Sequence, residues 1–262
     1  MKYRVRHKTA YRYSEPASLS QNELFLHPRN TATQQVMQSQ LTIVPEPQYL
    51  QQRRDYFGNI AHVFMVQQPH NELSMTAASI VETRQPAVPP PAGTPPWESV
   101  AQRLGAPADA AELAACQFVF ASPLAAAAPG VRVYGRPSFP PGRPILAGAM
   151  DLIERIYTEF SYDKSATTVD TTVDQVLVKR KGVCQDFAHL AIGCLRALGL
   201  AARYVSGYLE TKPPPGKPKL VGADASHAWI SVFVPDAGWV DLDPTNNLIA
   251  GENHITLAWG RD

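Results

Sequence analysis

Residues 86–96, PAVPPPAGTPP, place six prolines in eleven positions. No chain carries such a stretch through a helix interior or a central strand, because proline lacks a backbone N–H and its ring clashes with the preceding turn. The stretch therefore divides the chain. An extended polyproline connection is expected over 86–97, with 1–85 as one domain and 98–262 as a second. The first side alternates by twos: Tyr3, Val5 and His7 against Lys2, Arg4, Arg6 and Lys8, then Met37, Leu41 and Ile43 against Gln38, Gln40 and Thr42. Strands are expected near 2–13, 19–27, 33–44, 60–67 and 73–83, with DYFGN at 55–59 a turn that sets Gly58 at positive φ. Short alternating strands without a helical period predict an all-β sandwich. His27, His62 and His70 are scattered through it and read as surface or packing residues.

Beyond the prolines the period changes. Ile145, Leu146, Ala149, Leu152, Ile153 and Ile156 recur at helical spacing and predict a helix from 145 to 160, after a second proline-rich stretch at 137–144. A short helix is expected near 110–118. In KGVCQDFAHLAIGCLRALGL, residues 181–200, Gly182 makes a turn. From Cys184 the residues Phe187, Leu190, Ala191, Cys194, Leu195 and Leu198 form one apolar helix face, ended by Gly199. A thiol in the first turn of that helix meets unpaired N–H groups and the positive end of the helix dipole, which favour thiolate over thiol. Cys184 is thus a candidate nucleophile, while a buried, inert cysteine remains the alternative on this stretch alone.

A thiolate nucleophile needs a base, and the base needs an orienting acceptor. His227 opens the alternating run SHAWISVFV, a strand with Ala228, Ile230, Val232 and Val234 on its continuously apolar face. A Pro-Asp-Ala-Gly turn at 235–238 reverses the chain into GWVDLDPTN. A hairpin that pairs odd with odd numbers brings His227 and Asp243 to one face, which requires an odd-length connection or a bulge. Asp241 shares that face and is the second candidate orienter. His189, five residues after Cys184, is turned away from it around the helix and makes a poor base.

The segments GVCQDFAHL, ARYVSGY, SHAW and GWVDLDPTN, in this order, resemble the transglutaminase-like superfamily of papain-type cysteine enzymes. The N-terminal part resembles the β-rich domain that precedes this core in a bacterial branch. The resemblance implies an α+β architecture: a papain-like, transglutaminase-like core in which the nucleophile helix packs on an antiparallel sheet, preceded by the β-sandwich. It implies Cys184 as nucleophile, His227 as general base and acid, and Asp243, directly before Pro-Thr, as orienter. Gln185, Tyr162 and Trp229 are candidate oxyanion or substrate contacts. The expected reaction is acyl transfer on a peptide or carboxamide through a thioester, with hydrolysis favoured, transglutaminase-type cross-linking the alternative, and a non-catalytic binding module as a different class.

Three cysteines without a C-x-x-C pair suggest neither a disulfide framework nor a zinc site, and no acidic calcium loop occurs. No metal and no cofactor are expected. A formal charge of +1 gives no reason to expect nucleic acid or an anionic membrane as partner, leaving a peptide or protein substrate. The basic N-terminus lacks the apolar core of a secretory signal and no run reaches membrane-spanning length, so a cytoplasmic location is expected. Lys179-Arg180-Lys181 reads as a solvated loop and Arg203 as half of a structural ion pair. Residues 211–225, polar and proline-rich just before His227, are expected to wall the cleft.

Overall fold

The computed structural model describes residues 1–126, 128–168, 171–210 and 226–262; the expected cleft loop 211–225 lies outside them. The chain forms two compact units, and their boundary is not a single cut. One unit is Met1–Pro86 together with residues 207–210 and Gly251–Trp259; the other holds Ala87–Ser206, Ser226–Ala250 and Gly260–Asp262. The expected single division at the prolines therefore needs correcting at the C-terminal end.

Six strands build most of the first unit: β1 (Lys2–Ala17), β2 (Ser20–Leu24), β3 (Gln34–Val44), β4 (Tyr49–Arg54), β5 (Ile60–Val66) and β6 (His70–Thr83). They form two three-stranded antiparallel sheets, β1-β6-β3 and β2-β5-β4. Ile43, Phe64, Val66, Leu73 and Met75 fill the space between them, with Tyr13, Leu24 and Leu41 packed against the cluster. This is the sandwich that the alternation predicts. Gly58 has φ 75° in the turn from β4 to β5, where Asp55 Oδ1 accepts the Asn59 N–H at 2.7 Å. The expectation missed β4, whose six residues are all exposed and so carry no alternation to read. A second apolar cluster joins Val81 to Tyr208, Ile255 and Leu257, with Tyr3, Val5 and Leu26 against it. The Tyr3 hydroxyl lies 3.0 Å from both Glu210 Oε2 and Asn253 Oδ1. These contacts assign the late segments to this unit.

The second unit contains α1 (Trp97–Gly105), α2 (Ala110–Cys116), α3 (Pro129–Gly135), α4 (Ile145–Glu159), the short strand β7 (Ser161–Tyr162), α5 (Val173–Lys179), β8 (Lys181–Gly182), α6 (Cys184–Ala197), β9 (Ala202–Leu209), β10 (Ser226–Val234), β11 (Gly238–Asp243) and β12 (Leu248–Ile249). Strands β12-β11-β10-β9 neighbour one another in that order, and the last residues of β9 fall in the first unit, where β13 (His254–Gly260) is the next strand. The proline stretch is not extended throughout, since Pro91–Gly93 forms a 3-10 turn. Nor is it a free linker from Thr94 onward: Trp97 N donates to Arg143 O at 3.0 Å, Ile145 N to Pro95 O at 2.9 Å, and Trp97 Nε1 to Pro140 O at 3.0 Å. Two proline-rich stretches clasp each other and then start α1 and α4, and the clasp satisfies the first N–H group of each helix, which would otherwise be left without a partner.

Helix α6 is the centre of this unit. Leu190, Ala191, Ile192, Cys194 and Leu195 are fully buried. Gly135 of α3 approaches so closely that a Cβ there would stand 2.8 Å from Cys194 Cβ. Cys194 is core, as expected, and burial pushes its thiol pKa far up. Arg196, near the end of α6, is buried and donates to Phe118 O, Ala202 O, Ser122 Oγ and Arg261 O. One side chain thereby satisfies the carbonyls where α6 hands over to β9.

Candidate active site

The nucleophile helix begins at a crowded corner. Gly182, expected to make a turn, lies in β8, and what its position requires is the absence of a side chain. A Cβ there would stand 2.8 Å from Asp186 Oδ2, the oxygen that accepts Val183 N at 2.8 Å and Thr167 Oγ1 at 2.7 Å. Asp186 thus closes the first turn of α6 and satisfies one of its orphan donors. Strands β7 and β8 pair in parallel with Tyr162 opposite Gly182, which sets Tyr162 beside that turn. Its hydroxyl feels the charge of Cys184 and its ring meets Phe187 edge-on at 6.4 Å. Cys184 itself is only 8% exposed.

The second half of the site comes from the β10–β11 hairpin. Val234 pairs Gly238 and Ile230 pairs Leu242, so even meets even and odd meets odd across a three-residue connection, the parity that the sequence required. His227 lies just beyond the last paired residues, and its Nε2 is 2.7 Å from Asp243 Oδ2. His227 also hydrogen-bonds Cys184. Asp243 is wholly buried and collects further donors from the tight turn after it: Oδ1 accepts Thr245 N at 2.9 Å and Asn246 N at 3.2 Å, and Oδ2 accepts Asn246 Nδ2 at 2.7 Å. Sequence reasoning missed Asn246. Asp-Pro-Thr-Asn was the available signal, because an aspartate ahead of a turn commonly accepts the N–H groups two and three residues on.

Burial is the largest single influence on His227 and pulls its pKa down. The hydrogen bonds to Asp243 and Cys184, with the negative charge of both, outweigh it and raise the pKa from 6.5 to about 9. With that shift the ring beside Cys184 holds its proton at neutral pH.

The other predicted residues separate clearly. Trp229 is fully buried and donates from Nε1 to Asp241 Oδ2 at 3.0 Å, with its ring 6.1 Å from that of His227. It walls the imidazole from inside the protein, and Asp241 serves the indole. Gln185 is exposed and its side chain hydrogen-bonds Tyr204. Arg203 lies over the Trp239 ring at 4.3 Å, a cation–π contact. Arg180 is not merely solvated: it pairs with Glu159 at 2.9 Å and covers the rings of Tyr134 and Phe160.

A cysteine heading a helix, set against a sheet whose adjacent strands present a histidine and its carboxylate partner, defines the papain-like class of fold. Sequence profiles agree at finer grain: that of the transglutaminase-like superfamily matches residues 141–244, and that of the bacterial transglutaminase-like N-terminal region matches residues 3–82. An uncharacterized protein of Mycobacterium tuberculosis is 44% identical, covering all of this chain and 84% of its own length. The chain belongs to the transglutaminase-like superfamily. A protein-glutamine gamma-glutamyltransferase of Pseudomonas aeruginosa is 37% identical over 81 residues, 30% of this chain and 12% of that protein. The crystal structure of a candidate cysteine protease from Cytophaga hutchinsonii has a TM-score of 0.76 at 19% identity, covering all of this chain and 82% of that one. That likeness is one of fold.

Proposed function

We propose that this protein is a cysteine-dependent acyl transferase that opens peptide or carboxamide bonds through a thioester and passes the acyl group to water. The observation that carries the reading is the linkage of Cys184 through one imidazole to a buried, fully hydrogen-bonded carboxylate. Cys184 Sγ attacks the carbonyl carbon, and the C=O electron pair moves to oxygen. His227 then gives its proton to the departing amine as the C–N bond breaks, leaving the thioester. In the second half His227 takes a proton from water, whose oxygen attacks the thioester and releases the acid and the thiolate. Asp243 keeps the ring oriented and balances its charge. The backbone N–H of Cys184 at the start of α6 supplies one oxyanion donor, and Tyr162, half exposed beside it, contacts substrate.

The P. aeruginosa relative favours a second reading of the last step, in which an amine replaces water and a new amide forms. Both readings share the thioester. The test common to them is intact-mass labelling with limiting iodoacetamide across pH 5 to 9. Wild type should label at Cys184 at a rate that is already high below pH 7; Cys184→Ala should abolish this and His227→Ala should slow it roughly 10- to 100-fold. Labelling that rises only near pH 8.5, as for an ordinary thiol, would remove the chemical basis of the reading. The mass of the product formed from glutamine peptides with and without an added primary amine, glutamate or an N-substituted glutamine, then separates hydrolysis from transamidation, both of which release ammonia.

A further inference from the structure

Against Gln185, the residue that follows the nucleophile, the fold places one phenol that the scheme above leaves unused. Tyr204 stands within β9, and alternation along that strand turns it away from the side where Arg203 meets Trp239. Its ring lies flat on His189, with centroids 4.8 Å apart and planes within 19°. Its oxygen is hydrogen-bonded by the Gln185 side chain, and it feels the charge of Cys184. Gln185 and His189 are four residues apart on α6 and share a face, so one stripe of the nucleophile helix holds this phenol by ring and by oxygen. Both holders are uncharged: burial, the largest influence, brings the His189 imidazole down to about 4, and a carboxamide does not titrate. Burial first, and then the Cys184 charge, raise the Tyr204 pKa well above 10, so the phenol keeps its proton.

An oxyanion hole works when its donors are fixed before charge develops. Tyr162 is 51% exposed and is met edge-on by a single ring, whereas Tyr204 is clamped. We propose that the Tyr204 hydroxyl is the second oxyanion donor of this site, and that Gln185 positions Tyr204 instead of touching the oxyanion itself. The assignment rests on the acyl-transfer reading above. As the C–S bond forms and the carbonyl pair moves to oxygen, the Tyr204 O–H and the Cys184 N–H direct hydrogen bonds at that oxygen without giving up their protons. The pair returns to the carbonyl when the bond to the leaving group breaks and the His227 proton departs with it.

Two probes of Cys184 separate this role from a structural one. p-Nitrophenyl acetate acylates the thiolate through a tetrahedral oxyanion, whereas iodoacetamide alkylates it by direct displacement with no oxyanion. Single-turnover rates by intact mass, on the full chain, should show Tyr204→Phe lowering acylation roughly 100-fold while alkylation and its pH profile stay at wild-type values. Gln185→Leu, an exposed position, should lower acylation about tenfold alone and add nothing in the Tyr204→Phe background, since it acts through the phenol. If Tyr204→Phe melts early, the Gln185→Leu ratio of acylation to alkylation carries the test. Equal losses in both reactions would make Tyr204 structural and overturn the assignment. Unchanged acylation in Tyr204→Phe would overturn it too, and a loss in Tyr162→Phe would then move the donor there. A wild type that reacts with neither probe faster than a free thiol would sink the acyl-transfer reading, and this assignment with it.

Discussion

Asp243 has no exposed surface, and each of its oxygens is used. Oδ2 takes His227 and the Asn246 side chain, and Oδ1 takes two backbone N–H groups. A buried carboxylate is tolerable only when it is satisfied in this way. Asp243→Ala should therefore lower turnover by roughly two to four orders of magnitude through the loss of imidazole orientation. Asn246→Ala removes a donor to Asp243 together with a 3.5 Å contact to His227 Nε2 and should lower it about tenfold; a steady-state assay on whichever amide proves to be cleaved checks both. His227 also ties the site to stability. Its pKa of about 9 in the folded state exceeds the ordinary 6.5, so the folded protein binds that proton more tightly than the unfolded chain. The resulting stabilisation is fully present below about pH 6.5 and is lost as pH rises through about 9. The melting temperature of wild type relative to His227→Gln should accordingly shrink between pH 6 and 9.5. A difference that grows over that range would reverse the assigned charge.

Elements meet at this site through close approach. Gly182 in β8 lets the Asp186 carboxylate reach back over the first turn of α6. Gly182→Ala forces that carboxylate away and leaves Val183 N unpaired, for an expected loss of about 1–3 kcal/mol in denaturant unfolding, with slower labelling of Cys184. At the other end of α6, Arg196 supplies donors to Phe118 O, Ala202 O, Ser122 and Arg261 O. Arg196→Met retains the volume but removes these donors, and should destabilise by roughly 2–4 kcal/mol on the same measurement. The hairpin contributes registry. Its three-residue connection holds odd opposite odd, and shortening it by one residue would turn His227 to the opposite face.

At the scale of the molecule, the N-terminal β-unit is not finished by its own first 86 residues. Tyr208, Ile255 and Leu257 complete its second apolar cluster, and the Gln34 side chain donates to Thr256 O and Arg29 O and accepts from Thr256 N. A fragment ending at Pro86 would expose Val81, Tyr3 and Val5, and at that size it has little stability to spare. We expect such a fragment to be unfolded or molten by near-ultraviolet circular dichroism, whereas the full chain gives a cooperative transition. Among the described residues no helix is long and apolar enough to cross a membrane.

Much of this protein is written in local pattern. The alternation of residues 2–13 and 33–44, the glycine of DYFGN, the apolar stripe from Phe187 to Leu198 and the odd parity linking His227 to Asp243 are short-range facts, because side-chain direction repeats every two residues in a strand and every 3.6 in a helix. Those repeats were enough to read the sandwich and the α6 helix and to set His227 on one face with Asp241 and Asp243; choosing Asp243 between them rested on the resemblance to the superfamily. What the pattern could not carry depends on contacts between segments distant in the chain. The exposed strand β4 has no buried face to betray it. The clasp of Pro95 and Trp97 on Pro140 and Arg143, the return of Gly251–Trp259 to the first unit and the grip of Gln185 and His189 on Tyr204 each join partners whose sequences announce nothing about one another. Periodicity determines which face of an element is apolar; only packing in three dimensions decides what that face meets.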